Sequence, residues 1–123
     1  MDGTAKERTL ARHLDDEGYA VMRSPASGSA TDRDQPDLLF GKHGEVNRAV
    51  ELKTTSKAVA YFDSDEVRAL QRFARGMGAI PLLAGRFKGD TSVYCYSITK
   101  ARNTPTGRYA VDRDIYPTMV FEP

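Results

Sequence analysis

The sequence predicts an α/β protein, in which a central mixed sheet of about five strands is flanked by two helices. Three observations support this fold class. Two segments carry apolar residues at helical spacing, and five short apolar or alternating runs have the length of strands. These elements follow one another in the order αβββαββ. The chain has 123 residues, the size of one domain. We therefore expect 1–123 to form a single domain, with its core in 1–99 and a C-terminal extension in 100–123.

Composition excludes several classes of protein. Charged residues make up 28% and hydrophobic residues 40%, which is typical neither of a disordered nor of a membrane-embedded chain. The apolar run at 19–22 is too short for a signal sequence or a membrane span. Cys95 is the only cysteine, which excludes an internal disulfide and a four-cysteine zinc site. We expect a cytoplasmic protein with no membrane partner and no organic cofactor. A net charge of +1 argues against a nucleic-acid partner, although net charge hides patterning.

The first helix is predicted over 4–17. Thr4 is placed as its N-cap, with Glu7 at the spacing of a capping box. Gly18 ends the helix. The apolar positions recur at helical spacing, at Leu10, Ala11 and Leu14.

Three strands follow the first helix. The first is predicted over 19–23, and a polar loop rich in Ser, Gly, Asp and Pro occupies 24–36. Thirteen residues is long for such a connection, so we expect this loop to be functional or mobile. The other two strands, at 37–40 and 48–54, are joined by a turn that contains two glycines.

The second half of the chain begins with a connection at 56–62, in which 59–61 has an extended pattern. A second helix is predicted over 64–75, with Ser64 as N-cap and acidic residues in its first turn. Its buried stripe is predicted to consist of Val67, Leu70 and Ala74. Two more strands are predicted over 79–84 and 92–96. Beyond Thr99 the pattern fades, apart from a terminal strand at 119–121.

Glu51 and Lys53 form the first chemically suggestive pair. Because side chains alternate across a strand, these two share one face while Val50 and Leu52 share the other. A carboxylate can ligate a hard cation, and a neighbouring ammonium can orient an attacking water or stabilise charge on a phosphate. The same pattern is common in solvent-facing ion pairs, so on its own it leaves both interpretations open.

Asp37 opens the preceding strand, directly after Pro36. Proline suits a strand entrance because it cannot donate to the ladder, whereas aspartate disfavours strands. A tight turn between the two strands would let Asp37 and Glu51 point to one end of a shared site. Two carboxylates and a lysine, completed by the backbone carbonyl of Leu52, form a Mg²⁺ site for phosphodiester hydrolysis. The alternative is that Asp37 is a turn residue aligned with Glu51 by chance.

Glu7 opens the apolar face of the first helix, one turn before Leu10. A carboxylate at this position either completes the capping box with Thr4 or reaches a polar site in the sheet. The helix pattern alone favours the capping role.

Taken together, residues 3–98 resemble the archaeal Holliday junction resolvases, small members of the PD-(D/E)XK nuclease superfamily. The resemblance rests on the order and spacing of five blocks, which are Glu7-Arg8, the segment 18–28, Pro36-Asp37-Leu38, Glu51-Leu52-Lys53, and the segment 73–84. It implies a restriction-endonuclease-like fold. It also implies a homodimer that cuts two symmetric strands of a four-way DNA junction with Mg²⁺, or with Mn²⁺ as a substitute.

The resemblance also implies roles for individual residues. Asp37 and Glu51 correspond to the metal-binding acids and Lys53 to the catalytic lysine. Glu7 corresponds to the family's helix-borne acid, acting on the metal through water rather than as a cap. Ser27, in the loop after the first strand, corresponds to an active-site serine.

Contacts to DNA and to a second copy are predicted as well. The resemblance makes Arg8 and Arg23 phosphate-contacting residues. A junction is recognised mainly through backbone contacts at fixed separations, so further basic residues are candidates. These are Lys6, Arg33, Lys53, Lys57, Arg86 and Lys88. We place the dimer surface on the second helix, through Phe73 and Met77, and on the strand at 80–83.

Three other functions compete with this one. Another PD-(D/E)XK nuclease acting on duplex, flap or damaged DNA would have the same active site. A catalytically silent DNA-binding subunit is disfavoured by the complete set of Asp37, Glu51 and Lys53. The third is a metal-free domain in which these charges are ion pairs.

If Glu7, Asp37 and Glu51 face metal ions, the near-neutral net charge no longer argues against DNA as a partner.

Overall fold

The computed structural model describes residues 3–24 and 35–123 of the chain. In these ranges, the helices are α1 (Gly3–Asp16) and α2 (Ser64–Met77). The strands are β1 (Ala20–Arg23), β2 (Leu38–Gly41), β3 (Arg48–Thr55), β4 (Val59–Phe62), β5 (Ile80–Phe87), β6 (Val93–Ser97), β7 (Arg102–Asn103), β8 (Tyr109–Asp112) and β9 (Met119–Phe121). A single 3-10 turn, Ile98–Lys100, follows β6.

The central sheet confirms the predicted fold class. Within the described ranges it has six strands in the order β1-β2-β3-β5-β6-β9, compared with the five or so predicted. Its centre is the parallel pair of β3 and β5, and every other neighbouring pair is antiparallel. Parallel strands need a crossover, and α2 lies in the segment that connects β3 to β5. The sixth strand is β9, at the position where the sequence predicts a terminal strand.

The two helices cover opposite faces of this sheet. Leu10 and Leu14 of α1 pack with Leu38, Val50 and other residues whose side chains point to one face. The predicted stripe of α2, Val67, Leu70 and Ala74, is buried with Ala49 and Leu83 on the other face. Because side chains alternate along β3, neighbouring residues of one strand contribute to two separate cores.

A second, three-stranded sheet, in the order β4-β8-β7, packs on the α2 side. The sequence predicts an extended piece near β4, but it predicts no partner for it. The partner is β8, which lies in the predicted extension 100–123. Tyr96 joins the two sheets, because its hydroxyl donates to the backbone carbonyl of Asp112 at 3.0 Å. The extension therefore contributes strands to both sheets, whereas a single domain over 1–123 stays a prediction.

The ends of α2 differ from the prediction. Its N-cap is Asp63 rather than Ser64, and the helix continues to Met77, two residues beyond the predicted end. Gly78 then takes the left-handed conformation, with φ of 76°, that favours glycine after a helix. The prediction that Thr4 is the N-cap of α1 is wrong, because Thr4 lies within the helix, after Gly3. No helix in the described part of the chain is long and apolar enough to cross a membrane.

Candidate active site

Asp37 lies directly before β2 and completes the pairing between β2 and β3. The ladder ends at the pair of Leu38 and Val50. Beyond that point the backbone N–H of Leu52 donates to the side-chain Oδ2 of Asp37 at 2.8 Å. The carbonyl of Asp37 accepts the backbone N–H of Ser24 at 3.1 Å, which ties this position to the end of β1. Asp37 is therefore held on both sides, as its predicted role in a shared site requires.

Glu51 and Lys53 lie on the face of β3 that α2 covers. They alternate with the buried Val50 and Leu52, so the predicted sharing of one face is present. The ammonium of Lys53 donates to Oε2 of Glu66, in the first turn of α2, at 2.9 Å. The site therefore lies between the sheet and the N-terminal end of α2.

Burial and mutual repulsion outweigh the nearby positive charge of Lys53 at the carboxyl groups of Glu51 and Asp37. Burial, together with the nearby carboxylates of Asp37 and Glu66, raises the pKa of Glu51 to about 8, against the opposing effect of Lys53. Burial also raises the pKa of Asp37, against the opposing effects of the Leu52 hydrogen bond and of Lys53. Crowded carboxylates with raised pKa values are typical of catalytic sites and of sites that bind a cation.

The same carboxylates also raise the pKa of Lys53. Burial alone would lower the pKa of its ammonium, but the hydrogen bond to Glu66 and the charges of Glu66, Glu51 and Asp37 raise it above the ordinary value. Lys53 is therefore positively charged at neutral pH. In that state it can donate hydrogen bonds to a phosphate or a water but cannot act as a base.

Glu7 reaches the site from α1. Its carboxyl forms a hydrogen bond with the side chain of Asp37, and its Oε1 lies 3.9 Å from a guanidinium nitrogen of Arg23. Two carboxyl groups can hydrogen-bond to each other only when one of them carries a proton. The structure thus brings Glu7 to the site, whereas its role there stays a prediction.

The donor set fits a hard divalent cation. Asp37 and Glu51 supply carboxylate oxygens, which are the ligands that Mg²⁺ prefers. In the described ranges, no group of three or more His, Cys, Asp or Glu side chains is arranged to hold a metal. Mg²⁺ usually keeps several waters and binds through only one or two carboxylates, so two acids are sufficient.

Four of the predicted DNA-contacting residues line two clefts. Arg8 and Arg23 line one cleft together with Arg12, which the sequence analysis did not select, although it follows Arg8 by one helical turn. Lys6 and Arg86 line another cleft. Two further basic residues, Lys57 and Lys88, are exposed. Ser27 and Arg33 lie outside the described residues.

The predicted dimer surface is only partly available. Leu82 and Leu83 are fully buried in β5, so the predicted surface on the strand at 80–83 is wrong at these two positions. Ile80 is 39% exposed and Pro81 is partly exposed. Met77 is exposed, as the prediction requires. Phe73 lines an apolar cleft with Met22 and Leu39. Of the predicted dimer surface, Met77, Ile80 and the side of the cleft at Phe73 are therefore accessible.

Comparison with known proteins gives consistent matches along the chain. A family model described as archaeal Holliday junction resolvase (Hjc) matches residues 1–122. The crossover junction endodeoxyribonuclease Hjc of Methanocaldococcus jannaschii is 38% identical over 88 residues, which cover 72% of this chain and 61% of that protein. The alignment thus spans less than two thirds of this relative.

Two further comparisons cover more of both proteins. The crossover junction endodeoxyribonuclease Hjc of Sulfolobus acidocaldarius is 29% identical over 111 residues, 89% of this chain and 76% of that protein. A solved structure of Archaeoglobus fulgidus Hjc, a Holliday junction resolvase from an archaeal hyperthermophile, matches with a TM-score of 0.81 at 28% identity. That match covers 93% of this chain and 91% of the other.

Proposed function

The chain belongs to the archaeal Holliday junction resolvase family, with a PD-(D/E)XK-type fold, and on that basis we propose that it resolves four-way DNA junctions by paired, symmetric phosphodiester hydrolysis. The observation that carries the proposal is the convergence of Asp37, Glu51 and Lys53 just beyond the end of the β2–β3 ladder. These acids and this lysine are the groups that metal-assisted phosphodiester hydrolysis requires.

Each residue of the site has a role in this reaction. Asp37, Glu51 and the backbone carbonyl of Leu52 would hold Mg²⁺, or Mn²⁺ as a substitute, with Glu7 acting through water. The bound ion supplies Lewis acidity and makes water a stronger nucleophile at neutral pH. Lys53 orients the attacking water and stabilises negative charge that develops on the phosphate. Ser27 contacts a phosphate or orders the loop above it.

The basic residues would hold the DNA backbone. Arg8 and Arg23 contact phosphates from their shared cleft, and Lys6 and Arg86 extend the contact from theirs. Arg33 and Lys57 complete the set. Backbone contacts of this kind recognise the shape of a junction rather than its sequence. The enzyme would act on DNA in the cytoplasm.

A homodimer supplies the two active sites that symmetric cleavage needs. The apolar cleft of Met22, Leu39 and Phe73 supports this part of the proposal, because Met22 is 68% exposed. An apolar side chain so exposed beside other apolar residues is typical of an interaction surface. Gel filtration should give a dimer at micromolar concentration, and Met22→Glu should shift it to a monomer. A wild-type monomer would contradict the dimer.

The decisive experiment uses a synthetic junction of fixed crossover with labelled strands. With Mg²⁺ we expect two nicks at symmetry-related positions, and with EDTA we expect none. Flap, Y-shaped and linear duplex substrates should be cut more slowly. If one of these is cut faster than the junction, the chain is another nuclease of the same superfamily.

A further inference from the structure

Glu66 uses both of its carboxylate oxygens in two different contacts. Oε1 accepts the backbone N–H of Asp63 at 3.0 Å, which is the reciprocal half of a capping box at the start of α2. Oε2 accepts from the ammonium of Lys53 at 2.9 Å. The side chain thus links the first turn of α2 to the strand that carries Lys53.

This link is more than a surface ion pair. The side chains of Lys53 and Glu66 are only 37% and 31% exposed, and one of them is fixed in place by the helix cap. A lysine side chain is long and flexible, so an ammonium beside several carboxylates can adopt several positions. Asp37 and Glu51 also act on the Lys53 ammonium electrostatically. The contact with Glu66 selects one of these positions.

We propose that Glu66 is a positioning residue for the cleavage reaction: it holds the Lys53 ammonium on the α2 side of β3, beside Glu51. The carboxylates of Asp37 and Glu51 are thereby left to the cation. The inference rests on the function proposed above, in which Lys53 orients the attacking water. It adds a residue to the active site that the sequence analysis did not include.

Glu66→Gln separates the two contacts of this side chain. The amide oxygen can still accept the N–H of Asp63, since glutamine also serves in capping boxes. The remaining NH₂ group only donates, so it cannot accept from Lys53. Asp65→Asn is the matched control, because it removes the same charge from the same helical turn. Asp65 pairs with Arg68 and its side chain is 90% exposed.

Two measurements test the proposal. The first is single-turnover cleavage of the junction at saturating protein with Mg²⁺, together with junction affinity in EDTA. Misplacement of a catalytic group by about 1 Å can cost about 100-fold in rate. We expect Glu66→Gln to lose about 10- to 100-fold in rate without loss of affinity, and Asp65→Asn to cleave as the wild type does.

The second measurement uses the metal-free protein without DNA. A lysine-selective acylating reagent is applied, and labelling of Lys53 is compared by mass spectrometry with that of the exposed Lys57. Release from Glu66 should raise the ratio of Lys53 to Lys57 labelling several-fold in Glu66→Gln and leave it unchanged in Asp65→Asn. Glu66→Asp, which keeps the charge but is shorter by one methylene, serves as a second variant if Glu66→Gln does not fold.

The outcomes separate this inference from the proposed function. Wild-type cleavage by Glu66→Gln, or an equal loss in Asp65→Asn, would overturn the positioning role. A slower Glu66→Gln with an unchanged labelling ratio would also overturn it, because Lys53 would then not depend on Glu66. If the wild-type protein cleaves no junction, the proposed function fails, and the labelling ratio alone decides whether Glu66 holds Lys53.

Discussion

Oδ2 of Asp37 lies 2.8 Å from the backbone nitrogen of Leu52, so the proposed metal ligand also extends the hydrogen bonding between β2 and β3. The ladder between β2 and β3 ends at Leu38, the residue that directly follows Asp37. One oxygen of this carboxylate therefore has a structural role. Mutation can separate that role from the proposed binding of a metal.

Asp37→Asn should abolish cleavage while preserving the fold and junction binding. The amide oxygen can still accept the N–H of Leu52, but the charge that would hold the metal is lost. Asp37→Ala also removes the acceptor and should lower the free energy of unfolding by about 1 kcal/mol. Cleavage assays and urea denaturation distinguish the two variants. Cleavage by Asp37→Asn at the wild-type rate would contradict the assignment.

Stability without metal should depend on pH through Glu51. The pKa of this carboxyl is about 8 in the folded protein, compared with an ordinary value of 4.5. Between these values the folded state holds a proton that the unfolded state has lost, so raising the pH across this window lowers the free energy of unfolding. The slope from this group is at most about 1.4 kcal/mol per pH unit.

Thermal unfolding from pH 4.5 to 8 in EDTA measures this dependence. The stability that protonated Glu51 contributes is fully present near pH 4.5 and is lost as the pH rises to about 8. Mg²⁺ should weaken the dependence, since a bound cation favours the charged carboxylate. Glu51→Gln should also reduce the pH dependence of stability. The dependence that remains is due to Asp37, whose pKa is also raised. A melting temperature that rises across this range in EDTA would refute the raised pKa.

Two glycine-to-alanine substitutions should have opposite effects on stability. A Cβ at Gly85, in β5, would lie 2.6 Å from the ring of the buried Phe87, and this overpacking should cost about 1–3 kcal/mol. A Cβ at Gly76, within α2, meets no atom within 4 Å. Gly76→Ala should therefore stabilise the protein by about 0.5–1 kcal/mol, because alanine favours helices. Urea denaturation of both variants measures the change in the free energy of unfolding. A change of the same sign in both variants would contradict this prediction.

Tyr96→Phe should weaken the attachment of the second sheet. The hydroxyl of the fully buried Tyr96 donates to the carbonyl of Asp112. Removal of this hydroxyl leaves the carbonyl without its hydrogen-bond donor. The expected cost is about 1–2 kcal/mol in the free energy of unfolding. Hydrogen exchange should show faster exchange in β4 and β8 than in the central sheet. The control is Tyr116→Phe, at a residue that is 84% exposed, and it should change neither quantity.

The elements that the sequence predicts correctly are those whose residue pattern lies within a single helix or strand. Val67, Leu70 and Ala74 recur at helical spacing, and all three are buried. The alternation around Glu51 and Lys53 likewise places both on one face. The second sheet could not be predicted in this way, because β4 pairs with β8, about fifty residues later. A four-residue pattern does not specify so distant a partner.

Glu66 was not predicted as a site residue for a related reason. An acid in the first turn of a helix is already explained by the helix dipole and by the capping box. Its contact with Lys53 depends on how α2 lies across β3, which the sequence pattern does not contain. The spacing of Asp37 and Glu51 was informative because a short antiparallel connection joins their strands.

The strand β9 has a consequence for how the chain folds. Phe121 lies edge-on to Phe40, with ring centroids 5.8 Å apart, in the core beneath α1. This contact joins residues that are about eighty positions apart in sequence, so the core beneath α1 is complete only after β9 has joined the sheet. Contacts between residues so far apart slow folding and prolong the exposure of apolar surface to aggregation.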